Sequence, residues 1–325
     1  MSEPAPDSVT PASPDTAKRK ATSLTWRFFI SSLRIVLMLL IVLAWFQRSL
    51  IYHPAKIKEL PAAGSHLAHA VFDVTVQSHD ELTLHGWLML AGQPRSELPV
   101  DPKPLLKKGR PLVIVFPGNA GHRAYRSHLL HTFGELGVDA MIFDYRGYGE
   151  NLGKPSEANF RRDARTVWDF ATKTLGVSPR QIVFYGESLG GGSAVRLASD
   201  LCRDRIEPGG LIVQSTFNSL AAAGGHHFPI LPVSLLLIDR FESSRHITAV
   251  TCPILQLHGV RDRIVPVSLG KKLFDAAPAQ SSNKTAKRQV LLPNSDHNDV
   301  YGPDLPLVVD ALRAFLKQVA THAAR

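Results

Sequence analysis

"YGESLGGGSA", Tyr185 to Ala194, sets three consecutive glycines just behind a serine, where a helix ought to begin. Inside a helix each glycine costs about 1 kcal/mol against alanine. Close approach of backbone, rather than helix stability, must fix these positions. Before them runs "IVFYG" (182–186), an apolar stretch typical of a buried strand. After them Ala194, Leu197, Ala198 and Leu201 repeat at i, i+3, i+4 and i+7, the stripe of an amphipathic helix. Gly186-x-Ser188-x-Gly190 is thus a strand-to-helix turn, the nucleophile elbow that lifts a serine hydroxyl above a sheet. Glycines at 186 and 190 remove the Cβ atoms that would keep strand and helix apart.

The same buried-strand signature recurs on both sides of the elbow. "LVIVF" begins at Leu112, "VDAMIFD" at Val138, "GLIVQS" at Gly210 and "PILQLHG" at Pro253. "VFDVTVQ" (Val71–Gln77) and "LTLHGWLML" (Leu82–Leu90) alternate instead, as antiparallel strands do. Near the C-terminus Leu305, Val308, Val309, Leu312, Leu316 and Val319 form a second helical stripe. Strands alternating with helices predict an α/β domain: a mostly parallel central sheet with helices on both faces.

A serine hydroxyl needs a base and a group to orient that base. At such an elbow the partners follow in the order serine, acid, histidine. "LHGVRDRIVP" runs from a strand into a loop carrying Asp262, and "LLPNSDHNDVYG" runs from another strand into His297. Both loops leave strand C-termini, the rim to which Ser188 belongs. Asp239, Asp296 and Asp299 are rival acids without that setting. The oxyanion formed on attack needs backbone N–H donors. Leu189, the residue after the nucleophile, supplies one; the turn "FPGNAG" (Phe116–Gly121) supplies the other, from Asn119 or else Ala120. His226 and His227 are adjacent and cannot share a helical face as metal ligands, and the chain has no HExxH motif. This chemistry calls for no metal and no organic cofactor.

The formal charge of +9 is unevenly spread. Eight Lys/Arg face three acids up to Lys58, and no nucleic-acid motif accompanies them, so nucleic acid is not an expected partner. Residues 1–27 read as a basic, disordered tail, with four prolines by Pro14. "FFISSLRIVLMLLIVLAWF" (28–46) is 19 residues long, enough at 1.5 Å rise to cross roughly 28 Å of hydrocarbon. A cleaved signal peptide with Ile35–Phe46 as its apolar region is the competing reading. Trp45, Phe46, Gln47 and Arg48 make a poor cleavage site for it. Five cationic residues precede the clean apolar run and three follow closely, which favours a cytoplasmic N-terminus and an extracytoplasmic domain. Residues 47–70 are read as a linker and 71–325 as the domain, with a short cap over about 217–247. The cap's apolar side chains (Phe228, Ile230, Leu231, Leu235, Leu236 and Leu237) can line an acyl pocket, face lipid or pack on the core. Cys202 and Cys252 are read as small apolar side chains, with a single bridge as the alternative.

"PGNAG", "DYRGYGE", "GESLGGG", "HGVRDRIVP" and "DHNDVYG" together resemble the α/β-hydrolase superfamily. Specifically, they are similar to its membrane-anchored, bud-emergence-suppressor-like branch, close to the serine aminopeptidase-type domain. The proline-flanked stretch from Phe228 to Ser243 adds to that likeness, which covers about Val71 to Val319. Pro117 departs from it, since many relatives have histidine before the Gly-Asn pair. The resemblance implies an α/β-hydrolase fold preceded by one transmembrane helix. It also implies esterase, thioesterase or depalmitoylase chemistry on a lipid-like acyl ester or an acylated protein. A peptidase with the same triad plus an acidic site for the substrate amine is an alternative. A catalytically silent interaction protein is another.

Overall fold

Eight strands form one twisted sheet in the computed structural model, which describes residues 14–62, 67–94, 101–106 and 109–323. They are β1 (His69–Gln77), β2 (Thr83–Pro94), β3 (Leu112–Phe116), β4 (Asp139–Phe143), β5 (Ile182–Glu187), β6 (Gly210–Gln214), β7 (Ile254–Gly259) and β8 (Arg288–Leu292). Their spatial order is β8-β7-β6-β5-β3-β4-β2-β1. β1 pairs antiparallel with β2, and β2 antiparallel with β4; every other neighbour is parallel. Strand order reverses beside β3, and at such a switch the loops at the carboxyl ends of the strands open a crevice.

Both sheet faces are covered. On one, α3 (Glu157–Asp169), α4 (Leu189–Arg203) and α8 (Val267–Ala276) bury residues such as Trp168, Leu201 and Leu273. On the other, α2 (Ser127–Glu135) and α9 (Leu305–Ala323) bury Leu130, Phe133, Leu312 and Leu316. The expected stripe on α4 lies inward (Ala194, Leu197, Ala198 and Leu201), and so do Val308, Leu312, Leu316 and Val319 on α9, whereas Leu305 at the start of α9 is exposed and Val309 half-buried. Cys252 is buried in the core, Cys202 is half-buried, and both are free thiols.

The chain divides into two units, Met1–Gln47 and Arg48–Arg325. The first holds most of helix α1 (Pro14–Ile51), of which Trp26–Ile51 is long and apolar enough to cross a membrane. The helix passes Phe46 and takes in Gln47, Arg48 and Ser49 before the apolar Leu50 and Ile51. It ends at Ile51, ahead of His53, which as the residue before Pro54 is disfavoured in α conformation. Residues 14–27, assigned to the tail by composition, are helical in backbone; residues 1–13 lie outside the described residues.

The stretch read as a linker is built into the second unit. His53–Pro54 pairs in parallel with Ala120–Gly121, Ile57 N–H donates to Gly149 O (3.0 Å), and Trp87 Nε1 donates to Leu60 O (3.2 Å). Alternation and hydropathy do not register such a segment, because its bonds come from backbone groups that every residue carries.

Candidate active site

Ser188 sits between β5 and α4 with φ 52° and ψ −116°, a left-handed conformation that residues with a Cβ rarely adopt. Three bonds hold it there. Its N–H donates to Gln214 O (2.9 Å), and its carbonyl accepts from Thr216 Oγ1 (2.7 Å) and Gly191 N (2.9 Å). The glycine run now has its reason. A Cβ on Gly186 would lie 2.6 Å from Gly191 Cα, and one on Gly190 would lie 2.1 Å from Phe116 O. Strand, helix and the β3 turn are therefore in backbone contact at the point where Ser188 projects.

His297 and Asp262 arrive on the loops after β8 and β7. His297 Nε2 lies 3.0 Å from Ser188 Oγ, and its Nδ1 lies 2.8 Å from Asp262 Oδ2. Since an ionised carboxylate only accepts, Nδ1 carries the proton and Nε2 is free to accept the serine's. The other oxygen, Asp262 Oδ1, takes the N–H groups of Ile264 (3.0 Å) and Val265 (2.7 Å). His258 Nε2 stands 3.4 Å from Oδ2 and donates to Val265 O (2.8 Å). Burial works to raise the Asp262 pKa, but hydrogen bonds from His258, His297 and Val265 outweigh it and hold the pKa at about 2.

The rival acids are engaged elsewhere. Asp296 braces the two loops by accepting from Arg263 N (3.1 Å) and His297 N (2.7 Å). Asp299 accepts from Asp296 N (2.6 Å). Asp239 accepts from Arg48 Nε (2.9 Å) and Tyr52 OH (2.9 Å).

Leu189 is buried directly behind the serine, and Phe116–Gly121 is the turn pressed against the start of α4. Asn119 is held by its side chain and carbonyl: Nδ2 donates to Ile51 O, and the carbonyl accepts from Tyr148 OH (2.8 Å). Tyr145 OH donates to Pro117 O (3.0 Å). Ala120 lies opposite His53 in the short parallel pairing, and its carbonyl accepts from Arg126 Nη1 (3.1 Å).

"DYRGYGE" therefore reaches the site through its two tyrosines. Its charged residues tie structure together. Asp144 accepts from Arg123 N (2.6 Å), and Arg146 binds Asp163 (2.5 Å) and Asp80 (2.8 Å). Burial pushes the Tyr148 phenol above its ordinary value, so it remains a donor.

A cavity of about 150 Å³ opens beside His297, lined by Tyr125, Arg126, Glu187 and Tyr301 among others. Arg126 grips Glu187 with two bonds, at 2.7 and 2.9 Å. The cap consists of α5 (Leu220–His227), α6 (Val233–Leu236) and α7 (Ser243–Ile247). His227 fastens it to the acid loop by donating to Ile264 O (2.7 Å). Its inner residues Phe217, Ala223 and Phe241 pack with Leu189. Phe228, Ile230 and Leu235 are exposed, and Leu231, Leu236 and Leu237 are half-buried.

Sequence reasoning missed His258, the Arg126–Glu187 pair, and the contacts of Arg48 and Tyr52 with Asp239. His258 had a readable signal, a titratable side chain near the end of a buried strand and four residues before Asp262. The other pairings join residues 61 and about 190 positions apart and leave no local mark.

Comparison with known proteins gives a consistent set of likenesses. Residues 107–237 match the family model for the serine aminopeptidase S33 hydrolases. The uncharacterized protein Rv2307c of Mycobacterium tuberculosis is 37% identical over 275 residues, 84% of this chain and 88% of that protein. The lysophosphatidylserine lipase ABHD12 of Danio rerio is 33% identical over 230 residues, covering 64% of this chain but only 59% of its own length. Among solved structures, the Pyrococcus furiosus esterase Pf2001 aligns with a TM-score of 0.60 at 17% identity, over 82% of this chain and 98% of that one.

Proposed function

The chain belongs to the α/β-hydrolase superfamily, and from that premise we propose that it is a membrane-anchored serine hydrolase of carboxylic esters or thioesters. The observation that carries this reading is the continuous relay from Asp262 through His297 to Ser188. In the reaction Ser188 Oγ attacks the acyl carbon while its proton passes to His297 Nε2. Asp262 keeps the imidazole in the right tautomer and stabilises the imidazolium that forms. The N–H groups of Leu189 and Asn119 receive the oxyanion, with that of Ala120 as the second choice for the turn's donor. His297 then returns the proton to the leaving alcohol or thiol, and water releases the acyl group by the same steps.

The lipase relatives favour a lipid-like acyl ester as substrate. The peptidase alternative needs a free carboxylate for the substrate amine. Glu187, adjacent to the nucleophile, is already neutralised by the two bonds from Arg126. An uncleaved anchor is supported by Arg48, Ile51 and Tyr52, which bond to the cap and to the Asn119 turn and so belong to the working domain. The cationic excess ahead of the span favours a catalytic domain outside the cytoplasm.

The test is labelling with a fluorophosphonate, which should mark the wild type and leave Ser188→Ala unmarked. Turnover is then compared on a short p-nitrophenyl ester, a monoacyl phospholipid and an aminoacyl anilide. Equal labelling of both proteins sinks the triad, and faster cleavage of the anilide than of either ester favours the peptidase.

A further inference from the structure

The cap leaves four large apolar side chains in water. Ile230 is 95% exposed, Leu235 80%, Ile238 65% and Phe228 58%. All come from "FPILPVSLLLI" (228–238), an uncharged run of 11 residues. Single exposed leucines are ordinary on a protein surface, whereas four from one uncharged segment make a patch that needs a partner. The segment is held rather than loose: Arg240 donates to Leu237 O (3.2 Å) and Ser234 O (2.9 Å), and its N–H to Glu157 (2.7 Å).

What covers the patch follows from its neighbour in the fold. Ile238 and Arg48 line the same open cavity, of about 280 Å³. Asp239, the next residue after Ile238, takes two bonds from Arg48 (2.9 and 3.1 Å) and one from Tyr52 OH (2.9 Å). Arg48 lies in the last turn of α1, inside the apolar segment that ends at Ile51. The base of the patch is therefore fastened, one residue away, to the end of the chain's membrane-length helix.

We propose that residues 228–238 are a membrane-docking surface, whose exposed side chains enter the headgroup–acyl boundary of the bilayer that α1 spans. The inference rests on the reading of α1 as an anchor. It also narrows the substrate class to esters presented by that bilayer. The cap's inner face packs on Leu189 beside the nucleophile, while its outer face would sit in lipid.

The experiment uses the full chain reconstituted in phosphatidylcholine vesicles, carrying an environment-sensitive dye on Ile230→Cys with Cys202→Ser to leave only the buried Cys252 besides. Docking predicts quenching by acyl-chain spin-labelled phosphatidylcholine and protection from aqueous iodide. A dye quenched by iodide and indifferent to spin-labelled lipid overturns docking while the protein remains anchored. A dye shielded from both, with cross-links to a second copy, also overturns it and assigns the patch to self-association. Protein that alkaline carbonate strips from the vesicles overturns the anchor and docking together. As a functional readout, Leu235→Asp should keep its rate on a short p-nitrophenyl ester and lose about tenfold on a bilayer-embedded ester, because the anchored domain no longer seats its cap in the interface. Equal losses on both substrates count against docking.

Discussion

At the scale of single residues, the site is a set of positions where one atom decides the outcome. Asp262→Asn keeps the volume but presents an amide that can hold the wrong imidazole tautomer. Turnover should fall on the order of 10⁴-fold with the fold retained, as the same change does in a serine protease triad. Asp296→Asn should cost far less, since Asp296 accepts from backbone N–H groups rather than from the imidazole; a crippled Asp296→Asn with an active Asp262→Asn reverses the assignment. Gly190→Ala sets a methyl against Phe116 O, a backbone atom that cannot rotate away. A loss of about 2–4 kcal/mol is expected in denaturant titrations. The acid limb of stability also belongs here. Asp262 has a native pKa of about 2, below the roughly 3.9 of an unfolded aspartate. Its stabilisation is therefore complete above about pH 4 and is lost as the pH falls toward 2, when the unfolded chain takes up protons first. Denaturant titrations should show a gap between wild type and Asp262→Asn that is wide at pH 7 and narrower at pH 3. A gap that stays constant removes the carboxylate from the acid response.

At the scale of elements, what could be read in the sequence follows from what is local. The bounds of β3 and the elbow between β5 and α4 were legible because buried parallel strands are apolar runs and a glycine-flanked serine marks their turn. The loops bearing Asp262 and His297 were legible because each follows such a run. β8 was weaker, since only Leu292 of its five residues is fully buried and the hydropathy signal is correspondingly thin. The segment after α1 was misread as linker because its ties are backbone pairings and single long-range bonds. The cap's link to that segment is open to test. Asp239→Ala leaves Tyr52 OH and the Arg48 guanidinium without their shared acceptor. Stability should fall by about 1–3 kcal/mol, and proteases should nick the cap between residues 228 and 240 sooner. Unchanged thermal unfolding and unchanged digestion would show that the three-way contact is idle.

Across the whole molecule, the charged residues of "DYRGYGE" bind parts of the domain that are far apart in sequence. Arg146, after β4, reaches Asp163 on α3 (2.5 and 2.7 Å) and both Ser78 (3.2 Å) and Asp80 (2.8 Å) in the β1–β2 turn. The guanidinium and the Asp163 carboxylate are both buried. Removing one partner of a buried pair strands the other, at a cost of about 3–5 kcal/mol, whereas replacing both with apolar groups is often close to neutral. Arg146→Leu should therefore unfold at markedly lower denaturant, and Arg146→Leu with Asp163→Leu should recover much of that loss. None of these atoms touches Ser188, Asp262, His297 or the Asn119 turn. At a temperature where the single variant is still folded, its kcat/KM on a short ester should stay within about twofold of wild type, because contacts made in the transition state are intact. A variant that unfolds like wild type but turns over poorly would transfer Arg146 from the frame of the domain to the support of its site.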